Sequence, residues 1–267
     1  MTLQSITYQG GKSRIAALIL DTIGFRGESP FYDLCCGSGA ISLELVSRGF
    51  PPTSLYMLDA SPWGLVWRMI GDGSFDLVAF RRVIDAIPTD PLLIQKHVEQ
   101  LSKQPANVDT AYVFLILQAA AFGGKAIWIK NNAWQNTTFR SYWLPTETSS
   151  RRSPVNPMMP MPETIYERLQ DICVRMRGVT AFHLDIRQFW PGTGLVYIDP
   201  AYAGTTGYGH TFDVKQYVNT VKVPCWVSEG KKMSDYGFKL DVQRSKGGIS
   251  GNRKNVNEEW LSLVSPV

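Results

Sequence analysis

An apolar run, Leu195 to Ile198, leads directly into Asp199, Pro200, Ala201 and Tyr202. Read as a strand, it delivers a carboxylate, a backbone carbonyl and an aromatic ring to the carboxyl end of a sheet, where α/β folds place their ligands. Such a trio suits the activation of an exocyclic amino group on a nucleobase. That nitrogen is a poor nucleophile because its lone pair is delocalised into the ring. Asp199 and the Pro200 carbonyl can accept its two hydrogens and favour a pyramidal nitrogen, while Tyr202 stacks on the base. The plainer alternative is a turn opened by Asp-Pro with Tyr202 filling the core.

A second candidate site is Asp33 to Gly39, DLCCGSG, which follows the apolar run Phe31 to Cys35 and opens a helical pattern. Gly37 and Gly39 permit close backbone approach to a ligand, and Asp59 stands 20 residues beyond Gly39 at the end of the next apolar run. An acid there accepts hydrogen bonds from ribose hydroxyls. Position 42, where the third glycine of G-x-G-x-x-G would fall, is Ser. NAD(P) and S-adenosylmethionine (AdoMet) both satisfy this geometry, and so do glycines that merely make a turn. A third glycine site, Gly10 to Ser13, ends like a P-loop, but Ile6 stands where the first glycine of that motif belongs.

The elements that must position these residues follow from periodicity and punctuation. A helix is expected over 13–24 with Ser13 as its cap, a strand over 31–35, a helix over 40–48 and a strand over 54–59. This strand, glycine turn, helix, strand unit implies a parallel sheet with right-handed crossovers. Helices are then expected at 62–70, 74–87, 90–103 (Thr89 as cap, Pro91 in the first turn), 109–122 and 163–177. Strands return at 179–184, 194–198, 224–228, 238–243 and 259–264. Between the helices, 123–162 loses regular periodicity and reads as a long functional loop, or a poorly ordered segment, rich in aromatic and basic residues.

At 267 residues, with 44% hydrophobic and 19% charged residues and a mean hydropathy of -0.10, the chain has the composition of a globular protein. Cys35, Cys36, Cys173 and Cys225 form no C-x-x-C pair and no zinc-ligand spacing, so a reduced, cytoplasmic protein without a metal is expected. The first residues lack an apolar signal core, and the longest apolar stretch, 111–122, is well short of the ~18 residues of a membrane span, so no membrane partner is expected. The net charge of +4 is unevenly spread. Segments 121–160 and 239–255 each carry +4, which leaves the remainder acidic and suggests a polyanionic partner or, equally, two solvated loops.

Taken in chain order, these motifs resemble the Dam-type DNA adenine N6-methyltransferases of bacteria and phages. Tyr8 to Lys12 (YQGGK) is similar to the family's aromatic-x-Gly-Gly-Lys motif, Asp33 to Gly39 (with Cys35, Gly37 and Gly39) to its AdoMet loop, and Asp59 to its ribose-binding acid, so the resemblance implies that Tyr8, Lys12, Asp33, Cys35, Gly37, Gly39 and Asp59 belong to the cofactor site. Asp185 and Phe189 resemble the pair that recognises the AdoMet adenine, Asp199-Pro-Ala-Tyr202 the catalytic Asp-Pro-Pro-Tyr, and Val227 to Glu229 the strand motif that follows. Ala201 departs from the family at the second proline, removing one fixed φ from the loop.

The resemblance implies an α/β protein with a Rossmann-like, AdoMet-dependent methyltransferase core (1–60 and 179–267) and a mostly helical target-recognition insertion at 61–178. The implied activity is methyl transfer from AdoMet to N6 of a flipped adenine in DNA, inside a bacterial cell or phage-infected host. Asp199, Pro200 and Tyr202 would line the base pocket. Lys125, Lys130, Arg140, Arg151, Arg152, Arg253 and Lys254 would track phosphates, with Asn131 and Asn132 free for base edges or for a surface turn. Two other readings compete: an AdoMet- or DNA-binding relative that Ala201 has disabled, and an NAD(P)-dependent oxidoreductase.

Overall fold

The computed structural model describes residues 11–28, 30–106, 110–140, 145–150, 159–202, 209, 211–241 and 258–267. Its centre is a mostly parallel sheet of seven strands flanked by helices, in the spatial order β5-β2-β1-β6-β7-β9-β8. In chain order the strands are β1 (Phe31–Leu34), β2 (Leu55–Asp59), β5 (Thr180–His183), β6 (Leu195–Ile198), β7 (Cys225–Glu229), β8 (Gly237–Leu240) and β9 (Glu259–Val264). β9 alone runs against its neighbours, lying between β7 and β8. Order reverses between β1 and β6, so their carboxyl ends form the switch point at which open α/β sheets bind ligands.

The pleat sorts the core. Phe31, Leu55, Met57 and Tyr197 point into one buried cluster, while Tyr32, Leu34, Leu58, Val196 and Ile198 point into another. Both faces are covered, which is why these strands read as continuous apolar runs. The second face is closed by α8 (Val214–Val221), through Val214, Tyr217 and Val218. Sequence periodicity did not bring out α8, although Asp213 caps it by accepting from the Gln216 N–H.

Between β2 and β5 the chain forms α3 (Pro62–Asp72), α4 (Leu77–Asp85), α5 (Pro91–Leu101), α6 (Thr110–Ala120) and α7 (Pro162–Arg175). Their apolar sides join the first cluster: Trp63, Trp67, Phe80, Phe114 and Ile165 are buried with Phe31 and Met57. α3 starts at Ser61, whose hydroxyl accepts from the Trp63 N–H, and lies close to the sheet because of Gly64. A Cβ there would fall 2.2 Å from the Asp59 carbonyl oxygen. The cap of α5 is Asp90, not Thr89, since its carboxylate accepts from the Leu92 N–H at 2.9 Å. At the start of the described chain α1 (Ala16–Ile23) begins after Ile15 without a side-chain cap, so Ser13 does not hold that place.

The segment expected to be irregular contains a small hairpin, β3 (Trp128–Lys130) and β4 (Ala133–Gln135). Asn131 and Asn132 join the strands with φ of 51° and 59°, the paired positive values of a tight type I′ turn. Asparagine tolerates that region better than most residues. Buried Gln118 of α6 ties the approach to the hairpin: its amide donates to the Gly124 and Lys125 carbonyls and accepts from the Ile127 N–H.

Candidate functional site

Parallel strands carry their final residues to one edge of the sheet, and here that edge is acidic. Asp59 ends β2, Asp185 follows β5, Asp199 follows β6 and Glu229 ends β7. Because β9 runs in reverse, its first residue, Glu259, reaches the same edge. Lys12 supplies a positive charge there, with its Nζ 2.8 Å from Asp199 Oδ1 and 3.8 Å from Glu259 Oε1.

The glycine loop is held from below and from the side. Asp33 is 1% exposed, and its Oδ2 accepts from the Ser42 hydroxyl at 2.6 Å and the Ser42 N–H at 3.3 Å. Burial pushes this carboxyl up to about 7 against the pull of those bonds. Asp33 therefore anchors the first turn of α2 (Ala40–Ser47) beneath the loop and shapes the ligand edge without lining it. Asp59 Oδ2 accepts from the Gly37 N–H at 2.7 Å, and its Oδ1 accepts from the Ser61 N–H at 2.8 Å. Burial raises its pKa as well. Trp67 donates its indole N–H to the Gly37 carbonyl at 2.8 Å. Gly39 has φ of 71°, and a Cβ on it would lie 2.5 Å from the Trp67 ring. Cys35 also takes a left-handed conformation, φ 60°, and burial raises its thiol well above the ordinary range, leaving it neutral.

Asp185 and Phe189 sit at the end of β5 around a short 3-10 turn, Ile186–Gln188. The Asp185 carboxylate receives Arg187 at both oxygens, at 2.9 and 2.6 Å. Phe189 packs beside Tyr32 and Phe182 with ring centroids at 6.1 and 5.3 Å. The two residues thus border the glycine loop across β2 and β1.

Asp199 and Tyr202 are each held by a charged partner. Asp199 is clamped by Lys12, Pro200 is buried, and Tyr202 donates its hydroxyl to Glu259 Oε1 at 2.5 Å. Lys12 Nζ also lies 4.8 Å from the Tyr202 ring centroid, a cation over an aromatic face. Burial raises Asp199 to about 6, Lys12 opposes this, and the charges of Glu259 and Glu229 add to it. Lys12, expected beside the cofactor, is thus placed on the Asp199 carboxylate. Glu259 and Trp67 carried no local sequence signal, since one depends on a reversed strand and the other on how α3 lies over the loop.

Of the expected basic residues, Lys125, Lys130 and Arg140 are among those described, and they differ in exposure. Lys125 and Lys130 are exposed on and beside the hairpin, whose turn contains Asn131 and Asn132. Arg140 is half-buried, and its Nε donates to the Ala121 carbonyl at 2.8 Å, so it braces the chain rather than projecting from it. Tyr8, Arg151, Arg152, Arg253 and Lys254 lie outside the described residues. A Cβ on Gly209 would meet the Trp128 ring at 2.8 Å, so the hairpin lies close to Gly209.

Among the described residues, no helix is long and apolar enough to cross a membrane, and no group of three or more His, Cys, Asp or Glu could hold a metal ion. No protein-family model matches the chain, and no curated protein matches it in sequence.

Proposed function

We propose that this protein transfers a methyl group from AdoMet to N6 of adenine in DNA. The observation that carries the reading is the meeting of Asp199, Lys12 and Tyr202 beside the glycine loop at the β1/β6 switch point. A buried carboxylate kept next to a fixed cation is an oriented acceptor for an amino hydrogen, and the adjacent ring offers a stacking face for a base taken out of the helix.

The acidic edge also fits the cofactor. AdoMet supplies a methyl on a cationic sulfonium, and among the described residues carboxylates outnumber the cations, Lys12 and Arg187, at this edge. Residues 35–39 with Asp59 would hold it on the ribose side, and Asp185 and Phe189 on the adenine side. Asp59 already fixes the loop through Gly37, so a ribose there would share a carboxylate whose orientation is set before binding. Sheet order speaks against the oxidoreductase reading: the reversed β9 between β7 and β8 departs from the all-parallel dinucleotide-binding order.

Incubation with radiolabelled AdoMet and DNA of mixed sequence tests the proposal, which requires label in the DNA. The disabled relative remains a second reading because Ala201 leaves the loop without its second proline. Under that reading, wild type binds both ligands without transfer and Ala201→Pro gains it, as proline restricts a loop whose φ is compatible.

A further inference from the structure

Glu259 enters the edge from the reversed strand, and one of its oxygens meets both arms of the site. Oε1 accepts the Tyr202 hydroxyl at 2.5 Å and stands 3.8 Å from the same Lys12 Nζ that grips Asp199 at 2.8 Å. Its side chain is only 12% exposed, so water does little to screen these charges. We propose that Glu259 is a positioning residue for the methyl-accepting base: it fixes the Tyr202 ring on which the base stacks and, by sharing Lys12, sets the charge on Asp199. The inference rests on the methyl-transfer reading given above.

Two physical effects separate the roles. A phenol bonded to a fixed carboxylate cannot tilt freely, so Glu259 holds the stacking plane. Two carboxylates around one ammonium also repel each other, so the charge of Glu259 makes Asp199 harder to ionise. Among the described residues, the groups facing Asp199 are Lys12 ahead of α1, Asp33 and Cys35 of β1 and its loop, Tyr197 of β6, Tyr202, Glu229 of β7 and Glu259 of β9. Of these, Glu259 alone is both bonded to Tyr202 and within ion-pair reach of Lys12 among the contacts described.

Glu259→Gln keeps an oxygen for the Tyr202 hydroxyl and removes the charge; Glu259→Ala removes both. Carbon-13 NMR titration of the Asp199 carboxyl should therefore show its midpoint falling by about half a pH unit or more in both variants. The KM for DNA should rise roughly tenfold in Glu259→Ala and stay near wild type in Glu259→Gln. A purely structural residue would lower stability without this division. An unmoved midpoint, or KM raised equally in both variants, overturns the proposal. A moved midpoint in a protein that methylates no DNA overturns the methyl-transfer reading and retains the charge coupling. Should Glu259→Ala fail to fold, Tyr202→Phe breaks the same hydrogen bond from its other end, and an unchanged KM there overturns the positioning role.

Discussion

Lys12 and Asp199 face each other at 2.8 Å in surroundings that nearly exclude water, the lysine side chain 6% and the aspartate 19% exposed. Burial draws the aspartate toward its neutral form and raises it to about 6, while the ammonium pulls the other way. The ionised carboxylate is the stronger acceptor of an amino hydrogen, so methyl transfer should increase as pH rises through about 6. Lys12→Met removes the opposing cation and should move this acid limb to higher pH. A limb unchanged by Lys12→Met in the pH–rate profile would mean that another group sets it.

Asp59 organises the glycine loop through Gly37, and under the proposed function it also faces the cofactor ribose. Asp59→Ala should weaken AdoMet binding by about 1–3 kcal/mol, the cost of losing hydrogen bonds to a charged acceptor. DNA affinity should be nearly unchanged. Titration calorimetry with AdoMet decides it, and equal affinities would remove Asp59 from the cofactor site.

Asp33 gives a prediction about stability. Its folded pKa of about 7 lies above the ordinary carboxylate value, so the folded state binds this proton more tightly than the unfolded chain does. The associated stability is present below about pH 4 and is lost as pH rises toward about 7. Asp33→Asn keeps an acceptor for Ser42 and has no charge to bury. Its melting temperature should exceed that of wild type by roughly 3–8 °C at pH 8. The difference should shrink toward pH 5, and a pH-independent difference would show that the buried acid carries no such penalty.

Lys125 and Lys130 are the exposed basic members of the expected DNA-binding group among the described residues. Replacing both by Ala should reduce the salt slope of duplex DNA binding by about 2 if each neutralises one phosphate. A slope equal to that of wild type would assign the hairpin to solvent. Arg140 should behave differently: its bond to the Ala121 carbonyl predicts that Arg140→Ala lowers thermal stability more than it changes the slope.

The parallel sheet was legible because β1, β2 and β6 are buried on both faces and show as short apolar runs closed by Asp or Gly. Asp199, Asp59 and Gly37 were legible for the same reason, since the carboxyl end of a buried strand is a fixed address. The β3–β4 hairpin was missed because its strands are three residues each and Asn-Asn is a weaker turn signal than Asn-Gly. Asp33 belongs to the glycine motif expected at the cofactor, and the pleat places its carboxylate beneath the loop on Ser42. Lys12 was assigned to the cofactor by motif alone; its position on Asp199 depends on a non-local approach that periodicity does not encode.

Nucleoside mass spectrometry on DNA incubated with AdoMet and either wild type or Asp199→Ala tests the proposed reaction most directly. Wild type should produce N6-methyladenine, and the variant should bind AdoMet and DNA while forming it more slowly by about two to three orders of magnitude. Methyl groups on another atom, or equal rates in the two proteins, would contradict the role assigned to Asp199 and with it the proposed reaction.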